Sequence, residues 1–245
     1  MAGLGLAAWM TLPAAAQNGK APAKPAPAAK HKCKPGMVPI PAGTFTMGDD
    51  KTTDKSGDVK VAAFCMDRTE VTVTAYAACV KAGGCTPANT GSFCNAGVAG
   101  RQNHPINCVD WNQAEAYCQA QGLRLPTEEE WEYAARGTDG RLYPWGNAAP
   151  SNQLCWNRSG HSNSTCAVGA YPKDRSPFGL VDMAGNVSEW TSSLYSDSDS
   201  NRVFRGGSGR FGHPSDVRSA ARDRFDPSVL YGLLGFRCAG SAALP

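Results

Sequence analysis

The residues with the most chemistry in this chain are its ten cysteines. No two stand in the Cys-x2-Cys spacing of a zinc site. A dense, even set without metal spacing points to disulfides and an oxidising compartment, with zinc as the lesser alternative. No cysteine occurs between Cys166 and Cys238. The four histidines, His31, His104, His161 and His213, are scattered through the sequence. They read as loop or surface residues, His104 before Pro105 having a structural part. No Ser-His-Asp arrangement, phosphate-binding loop or dinucleotide motif is present, so those chemistries have no carrier here.

The elements that must position these residues are legible in places. Residues 122–146 (GLRLPTEEEWEYAARGTDGRLYPWG) hold the clearest helix start. Thr127 is a good N-cap, Glu130 completes a capping box, and Glu128, Glu129 and Glu130 put negative charge on the first turn. Trp131, Ala134 and Ala135 form its apolar face, and Gly137 stops it. Residues 112–121 predict a second helix with Ala114, Ala116, Tyr117 and Ala120 for packing. Residues 75–82 predict another, ended by Gly83 and Gly84. Residues 37–48 (MVPIPAGTFTMG) and 61–73 are strand-like, and 48–59 reads as a loop. Residues 85–107 predict a long loop held by disulfides. Beyond Gly146 the sequence predicts short strands and loops.

The first 36 residues are different in kind. Residues 3–12 are apolar and lead to Ala14 and Ala16, which suit signal-peptidase cleavage before Gln17, although a basic start is missing. The run is short for a membrane span. We read 1–16 as a signal segment, 17–36 as an Ala/Pro/Lys-rich linker and 37–245 as one domain. Of 24 Lys and Arg, five (Lys20, Lys24, Lys30, Lys32, Lys34) lie in the tail, leaving 19 against 21 acidic residues in the domain. That near-neutral balance argues against a nucleic-acid partner.

Three blocks in fixed order carry a resemblance. They are 122–146, then 177–190 (PFGLVDMAGNVSEW), then RGGS at 205–208 with RSAAR at 218–222 and GFRC at 235–238. Together they resemble the formylglycine-generating enzyme family, also called sulfatase-modifying factors, over residues 37–239. The resemblance implies an α+β fold related to C-type lectins, with little regular secondary structure and a disulfide brace. It implies a disulfide between Cys118 and Cys238. Cys155–Cys166 and Cys33–Cys65 are further expected pairs; Cys79, Cys85, Cys94 and Cys108 remain to pair among themselves. The family enzyme oxidises a sulfatase cysteine using copper held by two cysteines shortly after the Gly-Gly-Ser motif. Residues 209–217 (GRFGHPSDV) match that place and contain no cysteine. Thiolates bind Cu(I), and Phe211, Pro214 and Asp216 do not replace them, so no copper is expected. The resemblance also implies a structural calcium ion on Asp182 and the carbonyls of Met183, Gly185 and Val187, oxygen ligands that suit a hard cation. The alternative is that Asp182 caps a turn and Asn186 bonds backbone.

What remains is a loop surface over a braced scaffold, the kind of place where binding residues collect. Its candidates are Ser208, Arg210, Phe211, His213, Asp216, Arg224, Phe225 and Tyr231. The expected function is a secreted, periplasmic or extracellular binding module, monomeric and without a membrane span. Its ligand is a protein, peptide or small molecule that the sequence does not identify. One alternative is a family enzyme with altered chemistry, as in pyoverdine-maturation relatives that also lack the copper cysteines. Another is a receptor diversified by a retroelement: positions 209–213, 215–217 and 229–234 contain no Lys, Glu, Gln, Met or Trp, the types that mutation of Asn codons at adenine cannot yield.

Overall fold

The computed structural model describes residues 32–49, 57–156, 165–209 and 212–242. The signal segment, most of the linker, Arg210 and Phe211 lie outside the described residues.

Capping fixes the three helices. Thr72 accepts from the Ala75 amide and starts α1 (Val73–Lys81). Asp110 and Gln113 form a capping box at α2 (Trp111–Ala120), and Thr127 and Glu130 another at α3 (Glu128–Arg136). Gly137, at φ +68, ends α3 where a side chain would press within 2.9 Å of Pro177.

The strands are β1 (Met37–Ile40), β2 (Gly43–Met47), β3 (Gly57–Val61), β4 (Phe64–Asp67), β5 (Ser188–Leu194), β6 (Arg202–Arg205), β7 (Arg222–Phe225), β8 (Leu234–Gly235) and β9 (Ala239–Ser241). They form three small sheets: β1-β4-β9, the ribbon β2-β3, and β7-β6-β5-β8, in which only β5 and β8 run parallel. β1 and β9 flank β4, so the two ends of the domain meet in one sheet. The expected loop at 48–59 ends in β3, which pairs with β2 and turns Val59 and Val61 toward the core. The strand-like run 61–73 is broken for a tertiary reason. After β4 the chain bonds singly, Val71 N–H to the Phe236 carbonyl and Ile106 N–H to the Val71 carbonyl.

Two apolar cores result. Ile40, Phe64, Met66, Trp131, Ala135 and Met183 pack between the first sheet and α3. Tyr76, Tyr117, Leu125, Trp190, Leu234 and Phe236 pack between α1, α2 and β5. A smaller group of Tyr143, Leu154, Trp156, Ala184 and Val217 lies under the C-terminal loops. All ten cysteines pair, as Cys33–Cys65, Cys79–Cys85, Cys94–Cys108, Cys118–Cys238 and Cys155–Cys166. Among the described residues no helix is long and apolar enough to cross a membrane. The architecture is α+β.

Candidate functional site

A buried charged cluster is built around the 182–187 turn, with Trp131 of the first core donating to its Glu189. Asp182 and Asn186 both take left-handed backbone (φ +57 and +54), which only a surrounding network holds in non-glycine residues. Arg237 is fully buried and grips Glu189 with two bonds of 2.7 Å, and its other N–H groups donate to the carbonyls of Asp67, Arg68, Val181 and Asp182. That pair is neutral. Glu70, Asp174 and Asp182 are buried near it, and among the described residues no lysine or arginine forms an ion pair with them. Burial pushes the carboxyls of Glu70 and Asp174 well above the usual range, and Asp182 up as well; each is raised further by a neighbouring carboxylate. Neither Glu70 oxygen finds a donor. Glu70 and Asp182 are near enough to raise each other's charge cost, and two ionised carboxylates cannot donate to one another, so a shared proton or a cation would relieve them.

The donor types near the turn are compatible with the calcium expectation. The unpartnered oxygens of Glu70 and Asp174, buried near the turn, are donors of the type a hard cation takes. Among the described residues no three His, Cys, Asp or Glu side chains gather to hold a metal ion, so a cation here would rely on Asp182, Glu70 and backbone carbonyls such as those of Met183, Gly185 and Val187. Glu70 was not legible as a site residue in the sequence. Its only local signal was an acidic residue between two strand-like stretches.

A second network supports the C-terminal face. Arg205, buried at the end of β6, reaches Glu128 at 2.6 Å and Glu132 at 2.9 Å on α3. Arg222 on β7 grips both oxygens of Glu128 at 2.6 and 2.9 Å, and Arg136 holds Glu132 at 2.8 Å. Removing one partner of such a pair strands a buried charge, which is why the RGGS and RSAAR blocks act as framework.

The expected binding residues divide. Ser208 is fully buried and supports the face from beneath rather than presenting a hydroxyl at the surface. His213 caps the short 3-10 helix Pro214–Val217, its Nδ1 2.6 Å from Ser215 Oγ, which in turn donates to Asp216 Oδ1 at 2.9 Å. The serine sits between the other two, so the order of a hydrolytic triad is absent. Asp216 borders a cleft of about 210 Å³ formed with Gly206, Gly207 and Arg222. Farther along, Phe225 stacks on Phe204 at 5.1 Å and Tyr231 meets Phe225 edge-on at 5.7 Å. Arg224 turns away to Tyr195, 4.0 Å above its ring, and to Asp199 at 3.3 Å. Phe93, which the sequence reading left out, belongs to this surface. It is 48% exposed and packs directly on Gly232 beside Leu230 and Tyr231. Asn107 welds the two loops by donating to the carbonyls of Phe93 and Gly232.

Copper does not fit. Every cysteine is committed to a disulfide, and residues 209–217 contain none.

A family profile described as the sulfatase-modifying factor enzyme 1-like domain matches residues 22–242. The formylglycine-generating enzyme of Streptomyces coelicolor is 34% identical, over 94% of this chain and 97% of that one. The inactive C-alpha-formylglycine-generating enzyme 2 of Bos taurus is 39% identical over 65% of this chain, which spans 56% of that protein's length. Among solved structures, PvdO from Pseudomonas aeruginosa superposes with a TM-score of 0.70 at 26% identity, over 84% of this chain and 94% of that one. Treponema denticola variable protein 1 superposes at 0.68 with 25% identity, over the same shares.

Proposed function

The chain belongs to the sulfatase-modifying factor enzyme 1-like domain family, and from that premise we propose that it is a binding domain that has kept the family scaffold without its copper oxidation. It works outside the cytoplasm and takes a protein, peptide or small molecule on the C-terminal face. One observation carries the reading: all ten cysteines are paired and none lies where the resemblance puts the copper thiolates. The likeness to a bovine relative named as inactive agrees with it. The same scaffold holds a structural calcium ion between Glu70, Asp182 and the carbonyls of the 182–187 turn. That reading is supported by the unpartnered, buried oxygens of Glu70 and by its electrostatic coupling to buried Asp182. Bound there, calcium would neutralise the carboxylates and tie the segment before α1 to the turn before β5.

The test of the non-catalytic reading is direct. The protein is incubated with Cu(I), oxygen and a Cys-x-Pro-x-Arg peptide, and the peptide is weighed. No formylglycine is expected, and its appearance refutes the proposal. A second reading, loops that vary among copies of the gene, draws support from the likeness to a Treponema protein named as variable. A near-repeat of the coding sequence for 209–234 beside a reverse transcriptase would favour it.

A further inference from the structure

The 182–187 turn is not held by its own residues alone. The Asn186 amide donates to the Cys155 carbonyl at 2.8 Å, and the Cys166 amide donates to Asn186 Oδ1 at 2.9 Å. Asn186 therefore bonds both ends of the Cys155–Cys166 disulfide at once. Gly185 packs so tightly on Cys155 that a Cβ there would lie 2.4 Å from the Cys155 carbonyl oxygen. Three residues after Cys166, the Gly169 amide donates to Asp182 Oδ2. The disulfide itself is buried. Each of these contacts fixes either a ligand-bearing residue of the turn or the left-handed Asn186 between two of them.

We propose that Asn186 and the Cys155–Cys166 disulfide are positioning residues for the cation turn, so that closing the disulfide and binding calcium favour each other. The proposal rests on the calcium reading given above. With the disulfide closed, Cys155 and Cys166 are fixed relative to one another, and Asn186 can satisfy both. When a dithiol passes two electrons to the bond, two cysteine thiols and an oxidised dithiol result, and the two anchors of Asn186 separate. The turn then pays part of the cation's binding energy to reorder. Coupling of this kind is reciprocal: the factor by which reduction weakens calcium is the factor by which calcium disfavours reduction.

The experiment has two arms. Calcium affinity is measured by titration calorimetry on the full chain and on Cys155→Ser/Cys166→Ser, with near-ultraviolet circular dichroism reporting the fold of the variant. A loss of about tenfold or more is expected, within the usual range of coupling between sites. In the second arm the unaltered protein is treated with dithiothreitol in calcium or in EGTA, and each disulfide is followed by alkylation and peptide mass spectrometry. At equilibrium in a buffer of reduced and oxidised dithiothreitol, calcium should lower the reduced fraction of Cys155–Cys166 severalfold and leave that of Cys79–Cys85 unchanged. Equal reduced fractions, or a shift shared by both bonds, overturns the coupling, and this arm decides the matter if the variant does not fold. Calcium binding of equal strength in a folded variant also overturns it. If the unaltered protein binds no calcium, the cation reading itself fails and the coupling falls with it.

Discussion

Glu70 and Asp182 lie against each other in the interior, with Arg237 beside them already committed to Glu189. Two ionised carboxylates so placed repel, and either a retained proton or a bound cation relieves them. Calcium should therefore raise the melting temperature. At a hundred times the dissociation constant the stabilisation is about 2.7 kcal/mol, or on the order of 5–10 °C for a domain of this size. EGTA should remove it. Glu70→Gln should abolish the calcium-dependent increment, because the amide keeps the shape and loses the charge. A melting curve indifferent to calcium and EGTA refutes the site.

The Cys118–Cys238 bond joins α2 to the residue just before β9, across a separation of 120 residues. A loop of that length gives a constraint on the unfolded chain of about 4–5 kcal/mol in the chain-entropy model. Cys118→Ala/Cys238→Ala should lower stability by that order in urea titrations. Cys79→Ala/Cys85→Ala, spanning six residues, should cost less. A smaller loss from the long bridge than from the short one would count against the brace.

What the sequence made legible was mostly local. The capping box of Thr127 and Glu130, the stop at Gly137 and the helix bounds follow from neighbours a few residues apart, and the structure has them within a residue or two. Strand β3 was lost in a polar stretch because its partner, not its composition, defines it. The site was less legible. Arg222 reaches Glu128 across 94 residues, and Glu70 meets Asp182 only after folding. Ser208 sits next to a surface loop in sequence yet faces inward, since adjacency does not tell which side of the chain is covered.

His104 gives a pH dependence. Burial, and then Arg101, push its imidazole below the ordinary histidine range, while Nδ1 contacts Thr165 Oγ1 at 2.8 Å. The folded state thus prefers the neutral ring, and the unfolded chain takes up the proton first. Stability should be unaffected above the unfolded pKa of about 6.5 and should fall as pH drops below it. The loss is modest because the ring is partly exposed. His104→Gln should flatten the decline in melting temperature between neutral and mildly acidic pH. An unchanged slope would assign that decline to other groups.

The binding face and the core beneath it should separate cleanly by mutation. Tyr231 is 40% exposed and touches Phe225 by its edge, and Arg224 is held by a surface pair and a ring. Neither holds a sheet together, and exposed aromatic and arginine side chains are the usual anchors of an interface. Phe236 differs in every respect. It is fully buried and meets Tyr117 at 5.4 Å and Tyr76 at 6.4 Å, while its carbonyl accepts from Val71. Phe236→Ala should cost roughly 3–5 kcal/mol, as other buried phenylalanines do. Arg224→Ala/Tyr231→Ala should shift the melting temperature by only a degree or two, within the range of surface changes of about 0.5 kcal/mol each. The same pair should abolish capture of whatever ligand the parent retains. A double variant that melts as low as Phe236→Ala would make these side chains part of the core and remove them from the binding face.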